Sequence, residues 1–251
     1  MGKIIYQPKG KAREYSPWAA NFYNGCSNRC DYCYNRHCQA KALLGKDEPT
    51  LKKSLEDEGN AFKVFCKELD KVKERIIKDG SLHFNFVSDP CLPETWGLNW
   101  DCIQYAMSEG VQCQLLTKRA EVADYLFNAD DATLDLLCQK HLKVGFTLTG
   151  MDELEPGAST NEQRIEAMKK IHGMGLQTWA SIEPVISIKQ SYKMICKTWE
   201  FCDEYRIGLL SGKKNYSPMD VLDFMDHVYG LSKGEKAIIW KDSVNKYIEK
   251  I

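Results

Sequence analysis

The sequence predicts an α/β fold, a partial (β/α)6 barrel, and three observations carry that expectation. Six short β-like runs recur along the chain, each followed by a helical or turn-rich stretch. Repeated strand–helix units favour a parallel sheet with right-handed crossovers. The length of 251 residues, with 43% hydrophobic and 27% charged, suits one substantial core rather than several domains. Six units instead of eight imply an open barrel with its chemistry at the C-terminal strand ends.

The runs span 18–23, 82–87, 112–117, 144–149, 178–182 and 205–210. Between the first two, Phe65, Leu69, Val72 and Ile76 repeat at helical spacing, with Lys67, Lys71, Lys73, Glu74 and Lys78 on the other sides. Gly80 is a stop signal for that helix. Farther on, Ser159 and Glu162 have capping-box spacing before a helix over 164–174. Ser217-Pro218 reads as an N-cap followed by proline at the first helical position. The resulting layout is an N-terminal extension over 1–17, a core over 18–212, and a C-terminal helical extension over 213–251 packed on the core. No internal repeat or low-complexity tract interrupts it.

Composition narrows the function classes. The longest apolar stretches are only a few residues, so none is long enough to span a bilayer as a helix. The start, Met1 to Pro8, lacks the apolar segment of a signal peptide, and a cytoplasmic location is the expectation. A formal charge of −1 gives no sign of the broad basic face of a duplex-binding protein, and leaves a local basic patch open. Eleven cysteines, an odd number, are better read in a reducing compartment as metal ligands or reactive thiols than as disulfides.

The decisive segment follows the first run. Gly25-Cys26-Ser27-Asn28-Arg29-Cys30-Asp31-Tyr32-Cys33 has the spacing CxxxCxxC. Three thiolates within eight residues can wrap one face of an iron–sulfur cubane and leave its fourth iron without a protein ligand. Gly25 lets the chain turn as it leaves the strand, and Arg29 adds positive charge near the thiolates. Chance placement yields only about 0.02 such triplets for this cysteine content, so the spacing calls for a chemical explanation. A zinc knuckle, with His37 or Cys38 as fourth ligand, fits the same spacing and remains open at this point.

This loop resembles the cluster motif of the radical S-adenosylmethionine (SAM) superfamily, including the aromatic residue before the third cysteine. The similarity runs over about 21–210. It is greatest to the branch that contains spore photoproduct lyase and DNA-repair-photolyase-like proteins. The shared segments are Ser88-Asp89-Pro90, Thr117-Lys118, Leu154-Glu155-Pro156 with Arg164, and Ser181-Ile182-Glu183-Pro184. The resemblance implies a TIM-like partial barrel, a 4Fe-4S cluster on Cys26, Cys30 and Cys33, and SAM bound at the open iron. It implies that an electron from a reductant such as flavodoxin or ferredoxin cleaves SAM to methionine and a 5′-deoxyadenosyl radical.

It also implies roles for individual residues. Ser88 and Asp89 are placed to accept from the SAM ammonium, and Lys118 to pair with its carboxylate as a point charge with three donors. Thr147, Thr149 and Glu183 are placed to meet SAM or substrate, and Tyr32 and Ile182 to contact adenine. Cys91 is a candidate hydrogen-atom donor, although the branch's cysteine precedes the Ser-Asp pair and this one follows it. Tyr34, Trp96 and Trp100 can stack on a base, and Lys213, Lys214 and Tyr216 can contact phosphate. Nucleic acid, DNA or RNA, is thus one substrate expectation. Modification of a peptide or small metabolite is another, and a non-catalytic iron–sulfur or zinc binding protein a third.

Overall fold

All six predicted runs contribute a strand to a single sheet, and a seventh parallel strand joins them from the C-terminal segment. The computed structural model describes residues 3–129, 137, 141–210, 216–232 and 236–249. The strands are β1 (Ile5–Tyr6), β2 (Trp18–Ala20), β3 (Tyr23–Asn24), β4 (Thr50–Leu51), β5 (Leu82–Phe84) and β6 (Cys113–Thr117). They continue as β7 (Leu142–Thr147), β8 (Gln177–Val185), β9 (Glu204–Leu209) and β10 (Ala237–Trp240). The main sheet runs β1-β2-β5-β6-β7-β8-β9-β10, and every pair from β2 onward is parallel. The sheet stays open, with antiparallel β1 and parallel β10 as its edges.

The helices are α1 (Tyr34–His37), α2 (Lys41–Leu44), α3 (Glu58–Asp79), α4 (Pro93–Ser108) and α5 (Val122–Phe127). They are followed by α6 (Asn161–Gly173), α7 (Ile188–Thr198), α8 (Pro218–Ser232) and α9 (Asp242–Ile248). The longer helices pack their apolar sides against the sheet, whereas α1 and α2 lie beside the cysteine loop. In α3, Phe65, Leu69 and Ile76 are buried as their spacing predicts. Asp57 caps its start by accepting from the Asn60 N–H at 2.7 Å, and Gly80 closes it in a positive-φ conformation. Ser217 caps α8 through its Oγ, which accepts from the Asp220 N–H at 3.4 Å.

Three differences from the sequence expectation have physical causes. The first strand ends at Ala20 instead of Tyr23, because the Asn21 side chain takes over the ladder: its Oδ1 accepts from the Phe86 N–H at 2.7 Å. Tyr23–Asn24 then pairs antiparallel with Thr50–Leu51 as a separate ribbon. The capping box is Thr160 with Gln163, one residue beyond the predicted Ser159 with Glu162. The Ser159 hydroxyl serves the neighbouring helix instead, accepting from Ala120 N–H and donating to Glu121. The segment after 213, expected to be helical, also holds β10, whose four residues Ala237–Trp240 are all apolar and so show no alternation that marks a strand.

Inside the sheet's concave face the packing is tight. Trp179 on β8 is fully buried and lies against β7 at Gly145, where an added Cβ would sit 2.1 Å from the indole Cε2. The Arg206 guanidinium covers the same indole at 4.5 Å from a ring centroid. Tyr15, from the N-terminal segment, enters this interior, and its carbonyl accepts from Gln114 Nε2 at 2.7 Å and Arg206 Nη1 at 2.6 Å. Among the described residues, no helix is long and apolar enough to cross a membrane. Gly145→Ala should lower stability by about 1–3 kcal/mol through overpacking against Trp179, read as a lower urea midpoint at unchanged slope.

Candidate active site at the cysteine loop

The three cysteines follow β3 on a loop whose backbone is fixed from two sides. Gly25 takes φ 85°, and a Cβ there would lie 2.2 Å from the Glu48 carbonyl oxygen, so glycine is required for both conformation and space. The Cys26 N–H donates to the Lys46 carbonyl at 3.0 Å. From the other side the loop after β7 docks: Asp31 N–H donates to Leu154 O at 3.0 Å, and Gly157 N–H donates to Asn28 O at 3.1 Å. A side chain at Gly157 would place Cβ 2.0 Å from the Ser27 carbonyl. The fully buried Arg164 holds this second loop, through an ion pair with buried Glu155 and a 2.6 Å bond to the Thr147 carbonyl. Glu155 in turn accepts from the Tyr32 hydroxyl.

Asp89 ties the cysteine loop to the strand ends. Its Oδ1 accepts from Thr117 Oγ1 at 2.6 Å and Cys91 N–H at 3.0 Å. Its Oδ2 accepts from Asn28 Nδ2 at 2.7 Å and Lys118 N–H at 2.8 Å. A carboxylate has about four lone-pair sites, and all four are used. Asp89 therefore positions the loop and has no acceptor left for a SAM ammonium, which corrects the role expected from sequence. Ser88 beside it is different: its Oγ is buried and has no hydrogen-bond partner among the described residues.

A single cavity of about 700 Å³ opens over these residues. Cys26, Cys30, Cys33, Tyr32, Ser88, Asp89, Lys118, Thr147 and Glu183 all line it, so the structure brings together most of the predicted site. Three predicted residues stay outside. Thr149 is fully buried, with its Oγ1 accepting from Met151 N–H. Ile182 is fully buried in the core, while its strand neighbours Ser181 and Glu183 face the cavity. Cys91 is also fully buried in the core, and burial, then the Asp89 charge, raises its thiol well above the ordinary range. A thiol there cannot reach a molecule in the cavity, and the hydrogen-donor role is withdrawn.

Other expectations are also redistributed. Trp96 and Trp100 stack on each other at 4.9 Å, and Trp96 on Tyr125 at 4.8 Å, on the outer helices and away from the cavity. Tyr34 does line it, with 60% of its surface exposed. The Tyr216 hydroxyl accepts from Leu210 N–H and donates to Val185 O. Lys213 and Lys214 lie outside the described residues. Sequence reasoning missed Tyr15, His83, Asn85 and Lys241, which line the same cavity. No motif flags them; each is an isolated polar residue whose neighbours are distant in sequence.

The donor set fits an iron–sulfur cluster in chemistry. Burial, with the nearby Asp89 charge, pushes the Cys26 thiol up to about 12, and burial raises Cys30. Such thiols give up their protons to a metal, so loading would release protons and favour higher pH. Burial alone would lower the Lys118 pKa, but the charges of Cys30 and Glu155 outweigh it and the ammonium is held charged. It lies 5.7 Å from the Tyr32 ring centroid, beside the cysteines. The candidates for a fourth zinc ligand are engaged elsewhere: His37 Nε2 contacts Asp31 O at 3.0 Å, and Cys38 Sγ donates to Asn35 O at 3.4 Å. Among the described residues, no three His, Cys, Asp or Glu side chains converge as one metal ion requires. A cubane, where each cysteine takes a different iron, does not need that convergence.

The fold is shared with solved structures. Spore photoproduct lyase carrying bound SAM and a dinucleoside spore photoproduct aligns with a TM-score of 0.66, covering 92% of this chain and 78% of that one at 13% identity. SuiB of Streptococcus suis bound to its precursor peptide SuiA aligns at 0.58, covering 93% and 51% at 12% identity. SuiB bound to SAM aligns at 0.51, covering 70% and 41%. The chain thus has the partial-barrel fold of these radical SAM structures. In sequence, an uncharacterized protein of Methanocaldococcus jannaschii is 27% identical, over 67% of this chain and 60% of that protein's length. No family model matches the chain.

Two expected outcomes follow. Asp89→Asn leaves one acceptor oxygen for four donors and should cost about 2–4 kcal/mol in denaturant unfolding, with less iron retained after anaerobic loading. His83, buried and next to Arg206, is lowered to about 3 mainly by burial. A depressed histidine stabilises the fold above its unfolded pKa of about 6.5 and loses that contribution as pH falls toward 3. Denaturation curves across that window should be flatter for His83→Gln than for the wild type.

Proposed function

We propose that the chain is a radical SAM enzyme that acts on nucleic acid. The observation that carries the first half is the convergence of Cys26, Cys30 and Cys33 with Ser88 and Lys118 on one cavity at the C-terminal ends of a partial barrel. A 4Fe-4S cluster bound there would pass an electron taken from an external reductant to SAM, the chemistry by which such enzymes generate a hydrogen-abstracting 5′-deoxyadenosyl radical and methionine. The chain's own part is binding, orientation and shielding. Cys26, Cys30 and Cys33 hold the cluster, and Lys118 takes the SAM carboxylate. The buried Ser88 Oγ, lacking a partner among the described residues, accepts from the SAM ammonium. The packed interior of Tyr15, Trp179 and Arg206 closes the barrel below the site and excludes water from that side.

The substrate class rests on charge at the cavity. Lys9, Lys11, Arg29, Arg36, His37 and Lys46 line it, whereas its acids, Asp89 and Glu183, are both engaged by side chains of this protein. A cationic mouth around an exposed Tyr34 suits phosphates flanking a stacked base. Spore photoproduct lyase, with its dinucleoside lesion, gives the larger TM-score and is matched over more of its own length, 78% against 51%, than SuiB with its peptide.

The test is anaerobic loading with iron and sulfide, dithionite reduction, and assay of methionine and 5′-deoxyadenosine with SAM. Wild type should form both products, and Cys30→Ala neither above the protein-free background. Zinc retained in place of iron would overturn the reading. Binding of single-stranded oligonucleotides should fall steeply with salt; salt-insensitive or absent binding would redirect the search to peptides or metabolites.

A further inference from the structure

Glu183 reaches the cavity from the end of β8 and is held by two residues outside the six predicted strands. Its Oε2 accepts from the Tyr15 hydroxyl at 2.5 Å and from Lys241 Nζ at 2.5 Å. Lys241 follows β10 in the C-terminal segment and is 3% exposed. Its ammonium also lies 3.8 Å from the Tyr15 ring centroid and 3.5 Å from Glu14. Its backbone N–H donates to Ile207 O at 2.9 Å, which fixes the point from which the side chain extends. Tyr15 is itself anchored by Gln114 and Arg206 through its carbonyl, and its hydroxyl also contacts Ser181 Oγ at 2.9 Å.

The remaining side of the carboxylate is open. Glu183 Oε1 has no hydrogen bond among the described residues, and Glu183, Tyr15 and Lys241 all line the cavity. Gly208 on β9 makes room for it: an added Cβ would lie 2.8 Å from both the Glu183 Cδ and Oε1. A buried lysine, a half-buried tyrosine and a missing side chain thus converge on one rotamer of one carboxylate. An acceptor fixed in this way loses little freedom on binding, which is how a pre-organised polar group contributes affinity.

We infer that Lys241 and Tyr15 are positioning residues that aim Glu183 Oε1 at a hydroxyl or N–H donor of the molecule bound in the cavity. The C-terminal strand segment is therefore part of the site, not an accessory to the barrel. This rests on the radical SAM reading above, and the donor has two sources: a ribose hydroxyl of SAM, or the substrate.

The test compares wild type, Lys241→Met, Lys241→Arg and Gly208→Ala as cluster-loaded proteins. Titration calorimetry with S-adenosylhomocysteine reads the first source, and a short oligothymidylate reads the second. Urea midpoints are taken in parallel. Loss of an aimed charged acceptor should weaken the affected Kd about tenfold in Lys241→Met and Gly208→Ala, with most of it recovered in Lys241→Arg. Weakening confined to S-adenosylhomocysteine assigns the donor to SAM, and weakening confined to the oligonucleotide assigns it to the substrate. Gly208→Ala moves the carboxylate without removing any charge, so it decides the matter even where Lys241→Met unfolds. Both Kd values staying within about twofold of wild type in Gly208→Ala overturns the inference. A wild type that binds neither probe overturns the radical SAM reading itself and this inference with it.

Discussion

The site depends on one carboxylate with four donors. Asp89 collects a side-chain amide from the cysteine loop, a hydroxyl and an N–H from the end of β6, and an N–H from its own turn. These donors come from three separate stretches of chain that the sheet alone would leave unconnected at their tips. A buried charge costs several kcal/mol unless it is fully paired with donors. The same cost that would destabilise Asp89 in isolation therefore enforces the arrangement around it. Moving the cysteine loop would strip Asn28 from the set and leave an acceptor dry. The loop after β7 applies the second constraint, through Glu155, Arg164 and the close approach of Gly157 to Ser27. Between these two clamps the three cysteines are set by the barrel's strand order, despite lying on a loop.

The interior below the site obeys the same logic with larger groups. Parallel strands buried on both faces usually carry apolar runs, yet here His83, Gln114, Ser181 and Arg206 point inward. Tyr15 supplies partners for most of them, its carbonyl for Gln114 and Arg206 and its hydroxyl for Ser181 and Glu183, while His83 pairs with Gln114. An N-terminal segment that looks like a mere extension in sequence is thus the polar plug of an open barrel. Its counterpart at the other end of the chain is Lys241, and the two meet at Glu183.

How much of this was legible in the sequence follows from the range of each interaction. The strands, α3 and the CxxxCxxC loop are local patterns, and periodicity or spacing finds them. Side-chain direction on a strand is also local: the resemblance implies an adenine contact for Ile182, but alternation along β8 turns it into the core while Ser181 and Glu183 face the cavity. The capping box slipped by one residue because Ser159 and Thr160 both qualify; the choice was made by Ala120 and Glu121, which are far away in sequence. Asp89 stands out in the sequence beside Ser88 and Pro90, but its role cannot be read from its type. An acceptor aimed at a ligand and an acceptor consumed by four protein donors look identical until the donors are located. Tyr15, His83 and Lys241 carry no signal at all, since each gains meaning only from contacts spanning tens of residues or more.

Charge distribution connects these points to chemistry. Three thiolates and a bound cluster would load the cavity with negative charge, and the chain answers with cations at two depths. Lys118 stands beside the cysteines with no ion pair among the described residues, while the lysines and arginines of the mouth form an outer tier. Three acids at the site are engaged: Asp89 by four donors, Glu155 by Arg164 and Tyr32, and one oxygen of Glu183 by Tyr15 and Lys241. Acids left free would compete with an anionic ligand for these cations, and acids removed altogether would leave buried donors unsatisfied. Engaging these acids with donors of the protein limits both costs. Glu183 is the exception among these acids: one oxygen is consumed, and Oε1, with no hydrogen bond among the described residues, offers the cavity a charged acceptor.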